Sequence, residues 1–283
     1  MKKFLFAMFL LGGAVAFAGC EKENGGDNKE PEEITSVTDA AGNVYKVVKL
    51  ADGNYWMAEN LRYVPEGKTV SDDPAVESGI WYPLEITSEK DETITTDVVY
   101  VCKVSKDVDY IKKVGYYYDL ATAVGVDKLS KDNITTFEGT QGICPKGWHI
   151  PTESEFSALF ALYKKDGEAK TYWADLDKDG FNSTLTQMLM RNTSSDKGKF
   201  LPNKNLQNIK NHLMTAGYLM TSTVNSASSW KDDNGKITTQ NKCVTFQNIY
   251  SQKDDKINQG IVIANLSNFA GIPVRCVKDK TAE

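Results

Sequence analysis

Gly142-Ile143-Cys144-Pro145-Lys146-Gly147-Trp148-His149-Ile150-Pro151-Thr152-Glu153-Ser154-Glu155-Phe156 carries the most decisive local signal in the chain. Pro151 precedes a capping box: Thr152 can accept from the Glu155 amide while the Glu155 carboxylate reaches back to the start of the helix. Phe156, Leu159, Phe160 and Tyr163 follow at helical spacing. Lys164 and Lys165 suit the negative end of that helix, and Gly167 can terminate it. The spacing therefore predicts a helix beginning after Thr152, with His149 packed at its mouth as a structural histidine.

Outward from this helix the signals are mostly strand and turn. Upstream, Asp39-Ala40-Ala41-Gly42-Asn43 reads as a turn and Val44 to Leu50 as a β-rich run. Asp52-Gly53 then closes a hairpin onto Asn54-Tyr55-Trp56-Met57. A long insertion is predicted at about 64–114; its first part, 64–97, holds three prolines and a Thr/Glu-rich stretch. Within it, Val98 to Val104 has the apolar continuity of a buried strand. Tyr116 to Ala123 is expected to turn into a short helix. Downstream, Leu206, Ile209 and Leu213 suggest a second helix. Strands follow at Tyr218 to Thr223, Cys243 to Tyr250, Gly260 to Leu266 and Val274 to Val277, with Val244, Phe246 and Tyr250 on one face. The fold class is α+β, with small antiparallel sheets and one or two helices, in a single domain over 34–283.

Composition limits what such a domain does. Across 283 residues, 33 Lys and Arg face 38 Asp and Glu, a net charge of −5, and 41% of the residues are hydrophobic. That excludes a disordered chain and offers no basic footprint for nucleic acid. Met1-Lys2-Lys3 followed by the apolar run Phe4 to Ala18 and Gly19-Cys20 reads as a secretory signal peptide over 1–19. The small residues before Cys20 resemble the bacterial lipoprotein signal, which makes Cys20 the lipidated first residue. Residues 20–33 contain no aliphatic or aromatic side chain after Cys20 and read as a solvated tether. Cleavage removes Lys2 and Lys3, so the mature chain would be more acidic than −5. An anionic membrane would not attract it, and the membrane is a partner only through acyl chains. Acidic residues after the lipidated cysteine resemble surface-export signals of lipoproteins in the Bacteroidota. The expected location is the outer membrane, at the cell surface.

With Cys20 lipidated, Cys102, Cys144, Cys243 and Cys276 remain. In an oxidising compartment they permit three full pairings, or one bridge and two free thiols. Asp175-Leu176-Asp177-Lys178-Asp179-Gly180 is the first half of a calcium loop, with Thr186 where a glutamate belongs. The string reads first as a polar Asp/Gly turn and no cofactor is expected; calcium is the alternative, with Asp175, Asp177 and Asp179 as the candidate metal ligands. His149 and His212 are the only histidines, so general acid/base catalysis lacks its usual agent, and no GxSxG nucleophile motif is present. Trp230, in a polar stretch between Gly217 and Lys242 and near the Tyr218 strand, is the candidate ligand contact together with Tyr218.

The motifs Asp52-Gly53-Asn54-Tyr55-Trp56-Met57-Ala58-Glu59-Asn60-Leu61-Arg62, Gly115-Tyr116-Tyr117-Tyr118, the Gly142–Thr152 stretch, Gly180-Phe181, Gly217 to Thr223 and Val274 to Asp279 together resemble the Fibrobacter succinogenes major paralogous domain, in that order along the chain. The motifs also resemble the wider C-type-lectin-like and formylglycine-generating-enzyme-like architecture. In that architecture a cysteine near the first helix bonds one in the last strand. The resemblance thus implies Cys144–Cys276, leaving Cys102–Cys243 by elimination. The Glu-Pro-Asn and Trp-Asn-Asp triplets of calcium-dependent sugar-binding lectins are absent; Leu201-Pro202-Asn203 and Trp230-Lys231-Asp232 are the nearest strings. That sugar-binding mode is not carried over. The functional expectation is a surface-exposed, non-catalytic binding or adhesion module for a glycan or a surface or host protein. The alternatives are a glycan-degrading enzyme and a purely structural envelope protein.

Overall fold

The computed structural model describes residues 33–73, 76–90, 98–130, 132–134, 137–164, 173–186, 189, 208–209, 212–213, 216–231, 237–251, 256–267 and 270–280. The signal peptide, Cys20 and nearly all of the tether lie outside the described residues, as does Gly167. Strands β1 (Ser36–Thr38), β2 (Val44–Lys49) and β3 (Tyr55–Met57) form the predicted opening meander. Each of its turns is tied by an aspartate. Asp39 Oδ1 accepts from the Ala41 and Asn43 amides, and Asp52 accepts from the Asn54 amide and from Trp56 Nε1.

The inserted region has its own elements: β4 (Ile80–Trp81), the hairpin of β5 (Leu84–Lys90) and β6 (Val98–Val104), and helix α1 (Val108–Val114) capped by Asp107. The strand expected at 98–104 forms as β6, which among the described residues pairs with β5 in a two-stranded sheet. Next come β7 (Tyr117–Tyr118), the short α2 (Leu120–Ala123) where a helix was expected, and β8 (Trp148–His149). Helix α3 (Glu153–Leu162) carries both halves of the capping box between Thr152 and Glu155.

Helix α4 (Trp173–Lys178) was not foreseen. The helix predicted around Leu206, Ile209 and Leu213 does not form; β9 (Asn208–Ile209) and β10 (His212–Leu213) pair antiparallel instead, and Leu206 lies outside the described residues. Three apolar positions cannot outweigh Asn203, Asn205, Asn208 and Asn211, whose side chains compete with helical backbone bonds. The chain ends in long strands β11 (Ala216–Lys231), β12 (Ile237–Ser251) and β13 (Lys256–Ser267), then β14 (Val277–Lys278).

Two sheets organise the core. The five-stranded sheet runs β1-β2-β3-β14-β8, so the last strand is inserted between β3 and β8: Val277 pairs with both Trp56 and His149. The other has the order β11-β12-β13. Side chains alternate along a strand, and both faces of the central β12 are covered. Val244 and Phe246 enter an aromatic cluster with Trp56, Phe156, Phe160 and Phe181, while Cys243 enters a second cluster with Met57, Tyr118, Ile150 and Met220. Ring centroids of Trp56 and Phe156 are 5.2 Å apart and those of Phe181 and Phe246 6.3 Å, within the range of favourable aromatic pairs. The fold is α+β with small antiparallel sheets.

The decisive stretch is seated by its first glycine. Gly142 has φ +50°, and a Cβ there would lie 2.1 Å from the Ala123 carbonyl oxygen. The Ile143 amide donates to that oxygen at 2.9 Å, so absence of a side chain lets the loop before Cys144 lie directly on α2.

Candidate functional site

Three polar arrangements surround the last strand and the inserted region. The first is a covalent and ionic knot. Cys144 and Cys276 form a disulfide, 132 residues apart in sequence, with Cα atoms 6.0 Å apart. Next to it Arg275 is fully buried, with no carboxylate in salt-bridge contact among the described residues. Nε donates to Asn60 Oδ1 at 3.0 Å, and the two terminal nitrogens donate to the Phe181 oxygen at 2.5 Å and the Asn182 oxygen at 3.3 Å. The guanidinium also stacks over the Phe181 ring at 4.5 Å. Burial lowers its pKa to about 10, with Asp177 and Glu59 opposing, so it stays charged at neutral pH. Its role is structural: it ties the last segment to the loops at Asn60 and Asn182.

The second arrangement centres on His149. Its Nδ1 lies 2.6 Å from Asp279 Oδ1 and its Nε2 2.9 Å from Glu155 Oε1. A carboxylate only accepts, so both ring nitrogens carry hydrogens and the group is an imidazolium. Half-burial disfavours that charge, but the hydrogen bonds the ring donates to Glu155 and Asp279 outweigh it and raise the pKa. Burial likewise opposes the Glu155 carboxylate, and His149 together with the Thr152 amide lowers its pKa. The capping glutamate is thus shared between the helix end and the histidine. With both nitrogens engaged by acids, His149 has no lone pair for a substrate proton, in keeping with the structural role expected of it.

The pH dependence follows from these directions. The stabilisation from His149 is complete below its ordinary value of about 6.5 and is lost as pH rises through the higher folded value. That from Glu155 is present above about 4.5 and is lost as pH falls through its lowered value. Their joint contribution is greatest between those limits. The melting temperature of His149→Gln should lie below wild type by about 3–6 °C at pH 5.5, a gap that closes at pH 9. A gap independent of pH would show that the ionic contacts contribute nothing.

The candidate ligand and metal residues are placed differently from expectation. The Asp175–Gly180 string forms α4 and its end, where residues two apart point to different sides. Asp175 pairs with Lys178 at 2.6 Å, Asp177 accepts from the Ser183 amide at 2.6 Å, and Asp179 accepts from the Tyr163 hydroxyl at 2.6 Å. They do not converge, and no group of three potential metal ligands occurs among the described residues. Tyr218 is a core residue, and burial raises its phenol to about 12. It presents no contact surface. Trp230 lies in β11, opposite Thr238, rather than in a loop; its side chain is outside the described residues. The long β11–β12 pairing overrode the polar composition that suggested a loop.

Cys243 is a free, buried thiol, so the expected Cys102–Cys243 bridge is not formed. Burial pushes its pKa to about 11, leaving it unreactive. The backbone of Cys102 pairs with Ile86 in the β5–β6 hairpin. The odd-numbered face of β12 buries Cys243 in the central core, where packing gives a thiol sufficient reason to be present.

The third arrangement was missed. Tyr82, between β4 and β5, meets Tyr116 edge to face, with centroids 5.7 Å apart and planes at 85°. Both rings are half-buried. Lys106 Nζ stands 5.5 Å from the Tyr82 centroid and is ion-paired to Asp72. Arg62, paired with Glu59 at 3.4 Å, lies within electrostatic reach of Tyr116. The inserted region thus supplies half of an aromatic surface and the Gly115–Tyr118 motif the other half. The available signal was three consecutive tyrosines, of which Tyr117 and Tyr118 are buried and Tyr116 is not.

A disulfide-closed α+β domain whose final strand is locked between β3 and β8 is the class these features define. The chain matches the Fibrobacter succinogenes major domain over residues 48–278, and it belongs to that family. No curated protein and no solved structure matches it.

Proposed function

We propose that this chain is a lipid-anchored, non-catalytic binding or adhesion module, C-type-lectin-like in architecture, displayed on the outer face of the outer membrane. Its ligand is a glycan or a surface or host protein. The carrying observation is how the polar groups are disposed. His149, Arg275 and the Asp175–Asp179 carboxylates have their contacts within the fold, whereas the paired rings of Tyr82 and Tyr116 are only half-buried, on a domain closed by a disulfide. A frame that keeps aromatic side chains half-exposed suits recognition, because little conformational freedom is lost on contact. The lipoprotein-type start of the sequence and the tether after Cys20 support attachment through acyl chains. Anchor, tether and rigid head form the order a surface module requires.

The test is an array of glycans and host matrix proteins probed with the full-length chain in detergent micelles. Saturable retention without chemical change of the ligand is the expected result. Release of shortened sugars would favour a glycan-degrading enzyme, and absence of binding to every class would favour an envelope protein with a purely structural role.

A further inference from the structure

Resting on the binding-module reading, we infer that the Tyr82–Tyr116 surface is the contact site and that its ligand is a neutral sugar residue of a glycan. Tyr55, Tyr63, Tyr82 and Tyr116 are all half-buried, and among them Tyr82 and Tyr116 are the two whose rings meet. The hydroxyls of Tyr45, Tyr110, Tyr118 and Tyr163 donate to acceptors inside the fold. Those of Tyr82 and Tyr116 make no hydrogen bond among the described residues, and neither ring is fully covered. A partly exposed aromatic pair with unengaged hydroxyls offers an apolar face edged by donors and acceptors. A pyranose ring is complementary to both: its C–H face stacks on a phenol ring, and its hydroxyls exchange hydrogen bonds at the rim.

Charge narrows the class. The two cations beside the pair are matched by anions, Lys106 by Asp72 and Arg62 by Glu59. Lys106 is further placed over the Tyr82 ring, whose quadrupole favours it there. A uronate or sulfated sugar would have to displace one of these carboxylates, and a cationic ligand would have to displace a lysine or arginine. A neutral sugar disturbs neither pair and gains from both, since Lys106 donates to a sugar oxygen while Asp72 accepts from a sugar hydroxyl. Burial and the neighbouring Tyr82 raise the pKa of the Tyr116 phenol, which keeps that hydroxyl a donor.

The experiment is saturation-transfer NMR on the full-length chain in detergent micelles. The probes are the hexasaccharides of β-1,4-glucose, β-1,4-mannose and β-1,4-galactose, with hexagalacturonate as the acidic comparator. At least one neutral hexasaccharide should bind, and hexagalacturonate should compete poorly against it. Tyr82→Ala and Tyr116→Ala should each weaken it by tenfold or more, Tyr82→Phe by less than threefold, and Asp72→Asn by an intermediate factor. Unchanged amide spectra of Tyr82→Ala away from the site separate loss of contact from loss of fold. Preferential binding of hexagalacturonate overturns the neutral class. Sugar binding that survives both alanine variants but is lost in Trp230→Ala overturns the site while the module reading stands. Failure of every sugar alongside retention of a host protein on the array overturns the inference and also leaves that reading intact.

Discussion

Arg275→Met should lower the free energy of unfolding by about 3–5 kcal/mol, read as a shift of the urea midpoint at unchanged slope. Methionine fills much of the same volume and removes a buried charge, which by itself favours the variant. Against this, it leaves Asn60 Oδ1 and the Phe181 and Asn182 oxygens without their donor. An orphaned buried acceptor costs about 1–3 kcal/mol, so the Asn60 and Phe181 oxygens together outweigh the relief of desolvation, while the oxygen of exposed Asn182 can turn to water. Arg275→Lys should be as damaging despite keeping the charge. An ammonium cannot reach three acceptors held in the plane of a guanidinium, and it forfeits the stacking on Phe181. A loss below about 1 kcal/mol in both variants would mean that water replaces the lost donors and that the arginine is not the tie between these loops.

Cys276→Ser is the second large effect. The bridge to Cys144 spans 132 residues, and the chain-entropy account credits a loop of that order with about 4–5 kcal/mol. For a domain of this size the melting temperature should fall by about 10–15 °C under oxidising conditions. In excess reductant wild type and variant should melt nearly together, separated only by the cost of a hydroxyl at a fully buried position. A non-reducing peptide map provides the independent check, because it should contain the 144–276 linkage and leave Cys243 unlinked. Equal melting temperatures under oxidising conditions would show that the five-stranded sheet closes without help from the bridge.

The features legible in the sequence are those in which the partners lie within a few residues of one another. Thr152 and Glu155 are three apart, and their capping box forms as read. Asp39 with Asn43, and Asp52 with Asn54, close turns whose chemistry is equally local. A β-rich run and a hairpin turn signal located β2 and β3, and in β12 Val244 and Phe246 share one face because side chains alternate along a strand. The Cys144–Cys276 pairing came from the resemblance, and the disulfide joins those two residues.

Tertiary structure decided the rest, wherever a residue's state depends on what the fold brings to it from far along the chain. Asn60 and Arg275 are 215 residues apart, and nothing near either one announces a buried guanidinium. Tyr82 meets Tyr116 only because β4 pairs with β7, placing inserted and family segments side by side. Tyr218, read as a contact residue, is buried because β11 is packed against the core on that face. The Asp175–Gly180 string is compatible locally with a loop or a helix turn. Leu176 is fully buried among Trp56, Phe156 and Phe181, and that burial favours the helix. Local hydrogen bonding therefore determined where elements begin and turn, whereas burial, a sum over distant neighbours, decided which side chains became core and which stayed accessible.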